Sequence, residues 1–428
     1  MIPCKKLRTT DSDFELLFRQ ITAEREKAIA GLESVVRTIL QAVKEKGDEA
    51  LFDYTGRFDR MSLDKHSVRV SQEEIEDAYA SIALEDRDAL TLAAGRIEIF
   101  HRRQLQQRSF PDARHDESVA EVSRSLQRVG LYVPGGKASY PSSVLMTAIP
   151  ARVAGVKEII MVSPGASSHL LAAAKIGGVH KIYRVGGAQA VAALAYGTES
   201  IHRVDKIVGP GNRYVETAKR LLFGVVGLDM LAGPSEVLIL ADDSAVPAFA
   251  AADFIAQAEH DEDAVAVIIG TSEQFLDEAE REIQNQLKET VRRDIAAKSI
   301  ENNGLMIYAP TMESAIELAN RIAPEHLELM VHSPRDVLKH ITAAGAVFLG
   351  NFSPTAAGDY IAGPSHVLPT AGTARFFSPL GVSDFIRYMS VIELSRNELN
   401  GLESGIQRLA RLEGLDAHAR AIEKRVKH

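Results

Sequence analysis

Residues 128–136 read Arg-Val-Gly-Leu-Tyr-Val-Pro-Gly-Gly, and this stretch decides the fold. The apolar run Val129–Val133 stops abruptly at Pro134-Gly135-Gly136. A short apolar run closed by turn residues is the signature of a buried strand. The same texture recurs at Ile159–Val162 before Ser163-Pro164-Gly165, at Ile182–Val185 before Gly186-Gly187, and at Lys206–Val208 before Gly209-Pro210-Gly211. Between and after these runs lie the helix-like, Ala-containing stretches Ser168–Ile176, Ala188–Tyr196 and Arg213–Phe223. Strand, turn and helix repeated in this way predict parallel strands joined by right-handed crossovers. One α/β domain is therefore expected over residues 132–235. Ligands of such sheets bind at the carboxyl ends of the strands, where the glycine turns lie.

The pattern then restarts. Val237–Leu240, Ala264–Gly270, Gly304–Ala309 and Ala346–Gly350 read as strands. Val246–His260, Ser272–Lys288 and Met312–Ile322 read as the helices between them. This second α/β unit is expected over residues 236–380, completed by residues 26–131. Phe14–Arg25, Leu32–Ala50 and Gln72–Arg103 carry apolar residues at three- and four-residue spacing among charges, so they read as helices. Residues 1–25 are expected to be an N-terminal helical extension. Residues 381–428 are charged and helical in pattern, and too short for a core of their own. They are expected to dock elsewhere, on a partner subunit.

Composition narrows the function classes. A chain of 428 residues exceeds one simple core, so two main domains are expected. Hydrophobic residues at 46% and charged residues at 25% fit a soluble globular protein. The net charge of −9 gives no electrostatic support to nucleic-acid or anionic-membrane binding. Cys4 is the single cysteine, which excludes intrachain disulfides and a cysteine zinc cluster and suits the reducing cytoplasm. The N-terminus MIPCKKLRTTDSDF has no apolar signal core, and no apolar run is long enough to span a bilayer.

The chemistry-bearing residues are scattered. The G-x-G-x-x-G fingerprint of dinucleotide folds is missing; Gly209-Pro210-Gly211-Asn212-Arg213-Tyr214 comes nearest, with Tyr214 at the third glycine position. These glycines either terminate strands or let backbone approach a cofactor. In IAQAEHDED (255–263), Gln257 and His260 share a helix face, either as metal ligands or with His260 as a helix cap or a solvated residue. In GDYIAGPSHVLPT (358–370), Asp359, Ser365 and His366 lie on a loop after a strand, where functional residues concentrate. Glu413 and His418 in RLEGLDAHAR (411–420) read as surface residues when taken alone. In APEHLEL (323–329), Glu325 and His326 are adjacent, and neighbours on a regular strand point to opposite faces. Either one is a bystander or the chain bends there. Ligands so dispersed would fit a catalytic zinc rather than a structural one.

Taken together, RVGLYVPGGKASYPSSVLMTAIPA, RVGGAQAVAALAYGTES, VDKIVGPGN, LAGPSEVLILAD, AQAEHDED, PEHLEL, AGAVFLGNFSPTAAGDYIAGPSHVLPT and RLEGLDAH resemble the histidinol dehydrogenases, in order and spacing, from about residue 20 to 420. The resemblance implies two incomplete Rossmann-like α/β domains and a zinc- and NAD-dependent enzyme. It would oxidise L-histidinol to L-histidine through the aldehyde, in the last two steps of histidine biosynthesis. Gln257, His260, Asp359 and His418 match the zinc ligands, and Glu325 and His326 the acid–base pair. Ser235, His326, His366 and Glu413, with the metal ligands, match the substrate contacts. Tyr132, Gln189 and Asn212 match the NAD contacts. The resemblance also implies a homodimer whose C-terminal tail completes the partner's site. Competing readings are a dehydrogenase of another small alcohol, a zinc hydrolase and a non-catalytic binding protein. His366 and Glu413 suit a cationic, imidazole-bearing substrate and oppose the first. A hydrolase would leave the glycine turns without a task, and a binding protein need not keep the acid–base pair.

Overall fold

The computed structural model describes residues 4–19, 31–107, 119–135 and 140–426. The chain divides into two units, one of residues 1–105 and 126–385 and the other of residues 106–125 and 386–428. The strands in chain order are β1 (Lys5–Arg8), β2 (Val119–Ser125), β3 (Arg128–Tyr132), β4 (Glu158–Val162), β5 (Lys181–Tyr183), β6 (Lys206–Val208) and β7 (Gly227–Leu228). They continue with β8 (Glu236–Ala241), β9 (Val265–Gly270), β10 (Leu305–Tyr308), β11 (His326–Met330), β12 (Ala346–Leu349) and β13 (Ile386–Ile392).

The larger unit is α/β and holds two open parallel sheets. The first runs β5-β4-β3-β6-β7. All four strands read from the apolar runs are present, and the two-residue β7 extends the edge. The chain moves outward from β3 to β5, then returns to β6, so the order reverses between β3 and β6. Pro134 follows one of these strands and Gly209 the other, which places the glycine turns at the switch point where such sheets bind ligands. Gly209 has φ +106, and its backbone runs against the Tyr132 carbonyl, where a Cβ would collide.

The second sheet runs β1-β10-β9-β8-β11-β12. Val237, Ile239 and Ala241 join one core cluster with Phe254 and Ile255, while Leu238 and Leu240 join another with Leu318 and Ile322. Both faces are covered by helices, so β8 after Glu236 reads as an apolar run rather than an alternating one. Two strands of this sheet were not legible. β11 carries charges in a central position, and β1 is a charged edge strand. Residues Lys5–Arg8 therefore pair with β10 instead of belonging to a helical extension. Lysine and arginine suit an edge, where Lys6 meets Glu280 and Arg8 meets Glu273. Helix in that region covers residues 14–19, and residues 20–25 of the expected helix lie outside the described residues.

The helices Glu33–Lys46 and Asp48–Asp59 pack on the first sheet. Val36, Ile39 and Leu51 share one core with Ile160, Val191 and Ala218. This differs from the grouping of residues 26–131 with 236–380, because an amphipathic helix pattern does not say which sheet it covers.

In the smaller unit, β2 and β13 pair antiparallel, so residues 386–392 are strand where helix was expected. The helices Arg396–Leu412 and Asp416–Val426 follow, the first opened by a Ser395/Glu398 capping box. Among the described residues no helix is long and apolar enough to cross a membrane.

Candidate active site

A cavity of about 380 Å³ opens in the larger unit between the carboxyl ends of β3 and β6 and the amino ends of β8 and β11. Asn212, Ser235, Gln257, His260, Glu325, His326, Asp359 and His366 all line it. The catalytic-pair candidates thus stand at the start of their strand, facing the glycine turns at the end of the other sheet.

The bend at residues 323–326 resolves the neighbour problem. The helix Met312–Ile322 ends at Ala323, whose φ of 48° is left-handed. Pro324 follows, and β11 begins only at His326. Glu325 therefore precedes the pleat and need not oppose His326. The Glu325 Oε2 atom accepts the Glu236 N–H at 2.7 Å. The His326 Nδ1–H donates to the Glu236 carbonyl at 2.9 Å. One strand residue thus holds both side chains, and Oε2 lies 3.6 Å from Nδ1. Gly345 packs against the Glu325 carbonyl, where a Cβ would come within 2.5 Å.

With Nδ1 occupied by a carbonyl, Nε2 is the ring atom of His326 left without a hydrogen-bond partner. It stands 3.3 Å from Asp359 Oδ1, without the alignment of a good hydrogen bond. Burial opposes protonation of this imidazole, but the Glu325 and Asp359 carboxylates outweigh it and raise its pKa to about 9. Burial raises the Glu325 carboxyl to about 7, although His326 and the Glu236 N–H draw it down. Asp359 is partly buried, yet His326 and the nearby histidines hold it below the usual carboxylate range. His366 donates through Nδ1 to the Asp359 carbonyl at 2.8 Å, leaving Nε2 to accept from the Ser143 hydroxyl at 3.1 Å. Burial lowers its pKa, which favours the neutral imidazole.

Gln257 and His260 sit at the end of the helix Pro247–Ala258. The buried Gln257 amide nitrogen has no hydrogen-bond partner. The His260 Nδ1–H donates to the Ala256 carbonyl at 2.9 Å, which leaves Nε2 free to ligate. Among the described residues no three His, Cys, Asp or Glu are grouped closely enough to hold a metal ion. The cluster here is one amide, one imidazole and one carboxylate.

The remaining expected residues divide. Asn212 lines the cavity and caps its helix, accepting the Tyr214 and Val215 N–H groups. Tyr132 and Gln189 are buried beside the neighbouring turn and do not line the cavity; the Tyr132 hydroxyl accepts the Gly187 N–H at 3.1 Å. Glu413 and His418 are exposed residues of the smaller unit.

A family model described as Histidinol dehydrogenase matches residues 22–426. The chain belongs to the histidinol dehydrogenase family. It is 50% identical to the histidinol dehydrogenase of Geobacter metallireducens, over 99% of this chain and 98% of that one. It is 47% identical to that of Bacillus anthracis, over 96% and 97%. The crystal structure of histidinol dehydrogenase from Elizabethkingia anophelis superposes with a TM-score of 0.89 at 35% identity, covering 99% of this chain and 98% of that chain. Family membership makes the chain an oxidoreductase of histidine biosynthesis that oxidises histidinol.

Several residues of this family member's site escaped the sequence reading. Glu236 anchors the pair from a strand otherwise apolar, and Ser143 orients His366. Glu328, on β11, accepts the Thr355 N–H at 2.9 Å and so ties the His326 strand to the helix carrying Asp359. The available signal was a carboxylate inside an apolar run, as in Ser235-Glu236-Val237 and His326-Leu327-Glu328-Leu329.

Proposed function

We propose that the chain catalyses the zinc- and NAD-dependent four-electron oxidation of L-histidinol to L-histidine through the aldehyde. The single observation that carries this reading is the convergence of Gln257, His260, Asp359, Glu325, His326 and His366 on one cavity faced by the Gly209–Asn212 turn.

The metal donors fit. Gln257, His260 and Asp359 offer oxygen and nitrogen ligands with no thiol, and the buried Gln257 amide nitrogen has no partner within the chain, as expected if the side chain served a bound group through its oxygen. Zinc held there would supply an orienting template for the substrate's imidazole and amino nitrogens. NAD+ supplies the hydride acceptor, with Tyr132, Gln189 and Asn212 as its expected contacts.

The chain's own residues handle the protons. In the first oxidation His326 takes the alcohol proton at Nε2, the atom its Nδ1–H···O=C bond leaves as acceptor. Were Asp359 to hold the metal, its charge would no longer be free to raise His326, which would favour the unprotonated Nε2. In the second, Glu325 takes a proton from the water that adds to the aldehyde, and a carboxyl near 7 suits a base at neutral pH. His326 then takes the hydrate proton. Ser235 and His366 contact the substrate. The protein acts as a homodimer in which the partner subunit's Glu413 and the partner subunit's His418 complete substrate and metal contacts; both are exposed within the single chain.

The test is stoichiometry: roughly two NADH formed per histidinol consumed, abolished by chelation and restored by zinc. A ratio near one, or turnover by demonstrably metal-free enzyme, overturns the reading.

A further inference from the structure

Beneath the Gly209–Gly211 turn lies a buried ionic cluster that the chemistry above does not use. Lys219 is fully buried on the helix Arg213–Leu221. Its Nζ lies 2.9 Å from Asp229 Oδ1, donates to the Gly209 carbonyl at 3.1 Å, and stands 3.7 Å from Glu216. Asp229 Oδ2 in turn accepts the Gly209 N–H at 2.7 Å. Glu216 spans two segments: Oε1 accepts the Gly211 N–H at 3.0 Å and Oε2 the Ala232 N–H at 2.8 Å. Three charged side chains are thus spent on backbone groups of one turn and of the segment entering β8.

That expenditure needs a reason, because an ion cluster out of water is a poor source of stability. A cluster of this kind is well suited to fixing one geometry, since each backbone group it serves is directional and each loss leaves a buried charge unmatched. The two segments it joins are the relevant ones. The turn faces the cavity from the first sheet, and four residues beyond Ala232 lies Glu236, whose backbone holds Glu325 and His326.

We propose that Lys219, Glu216 and Asp229 are positioning residues that lock the cofactor-facing turn in register with the segment bearing Ser235 and Glu236. The cluster sets where the nicotinamide cofactor lies relative to the catalytic pair, and this rests on the NAD-dependent reading above.

The test uses Glu216→Gln, Asp229→Asn and Lys219→Met in full-length, zinc-loaded enzyme. The readouts are NADH affinity by fluorescence titration, KM for NAD+ against KM for histidinol, and zinc retention under chelator competition. Wild-type enzyme that binds no NADH refutes the cofactor reading itself. With wild-type binding established, Glu216→Gln and Asp229→Asn are expected to weaken NADH by about tenfold or more, with zinc retention and histidinol KM within about twofold of wild type. Lys219→Met, if it folds, is expected to do the same. Unchanged NADH affinity in the folded Glu216 and Asp229 variants overturns the proposal. So does an equal loss of zinc, histidinol and NADH binding, which would mark general destabilisation.

Discussion

Glu325 and His326 are bound to the N–H and the C=O of the same residue, Glu236, at 2.7 and 2.9 Å. Two adjacent side chains on one strand would diverge; here the left-handed turn at Ala323 and the delayed start of β11 bring them to one wall of the cavity. On the proposed mechanism this arrangement divides the proton work, leaving His326 Nε2 and the Glu325 carboxylate each with a separate task.

Substitution separates those tasks. Glu325→Gln is expected to slow oxidation of histidinal by about 10²-fold or more while slowing histidinol-to-aldehyde turnover much less. His326→Asn is expected to slow both by about 10²- to 10⁴-fold. Single-turnover rates with each substrate provide the measurement. Equal rates for Glu325→Gln and wild type on histidinal would remove the water-activation role.

Stability of chelator-treated enzyme carries the mark of His326. Its folded pKa of about 9 lies above the ordinary 6.5, so the folded state binds the proton more tightly. The stabilisation is fully present below pH 6.5 and is lost as pH rises through 9. Glu325 is also raised, from 4.5 to about 7, and its contribution fades over that lower range instead. Denaturant unfolding at pH 6 and pH 10 should therefore show His326→Asn losing more relative to wild type at the lower pH. A gap independent of pH would contradict the carboxylate pairing.

Gly345→Ala tests the close approach behind the pair. The added Cβ would meet the Glu325 carbonyl, so the backbone around Glu325 must shift. Activity is expected to fall at least about tenfold, since small misplacements of catalytic groups are costly. Far-UV circular dichroism should stay unchanged. Full activity would show that the strand can yield there without moving the site.

Glu328 offers a charge test. Burial raises its carboxyl well above the usual range, with the neighbouring Asp253 acting in the same direction. A neutral amide should serve in its place, so Glu328→Gln is expected to keep both fold and activity. Glu328→Ala leaves the Thr355 N–H without its partner and is expected to cost about 2 kcal/mol, read by denaturant unfolding. Loss of activity in the Gln variant would mean that the charge itself is required.

The apolar runs made the central parallel strands legible, because strands covered on both faces are apolar along most of their length, as β8 is from Val237 to Ala241. The strands that stayed hidden are those whose charges have local uses. Lys5–Arg8 places cations on an open edge, and β11 carries His326 for the cavity and Glu328 for a helix end. Helix pattern located Glu33–Lys46 but not its sheet, since amphipathicity names a buried face and not what buries it.

The candidate site follows the same rule. The candidate residue types are written along the chain, in motifs such as AEH, PEH and PSH, and order and spacing sufficed to place the chain in its family. How they act is set by contacts between residues far apart in sequence. Glu236 meets Glu325 and His326 across some 90 positions, Ser143 reaches His366 across 223, and Lys219, Glu216 and Asp229 close under a turn that they did not announce. Hydrogen bonding and burial are properties of the folded interior, so tautomer, charge state and alignment exist only once the two sheets enclose the cavity.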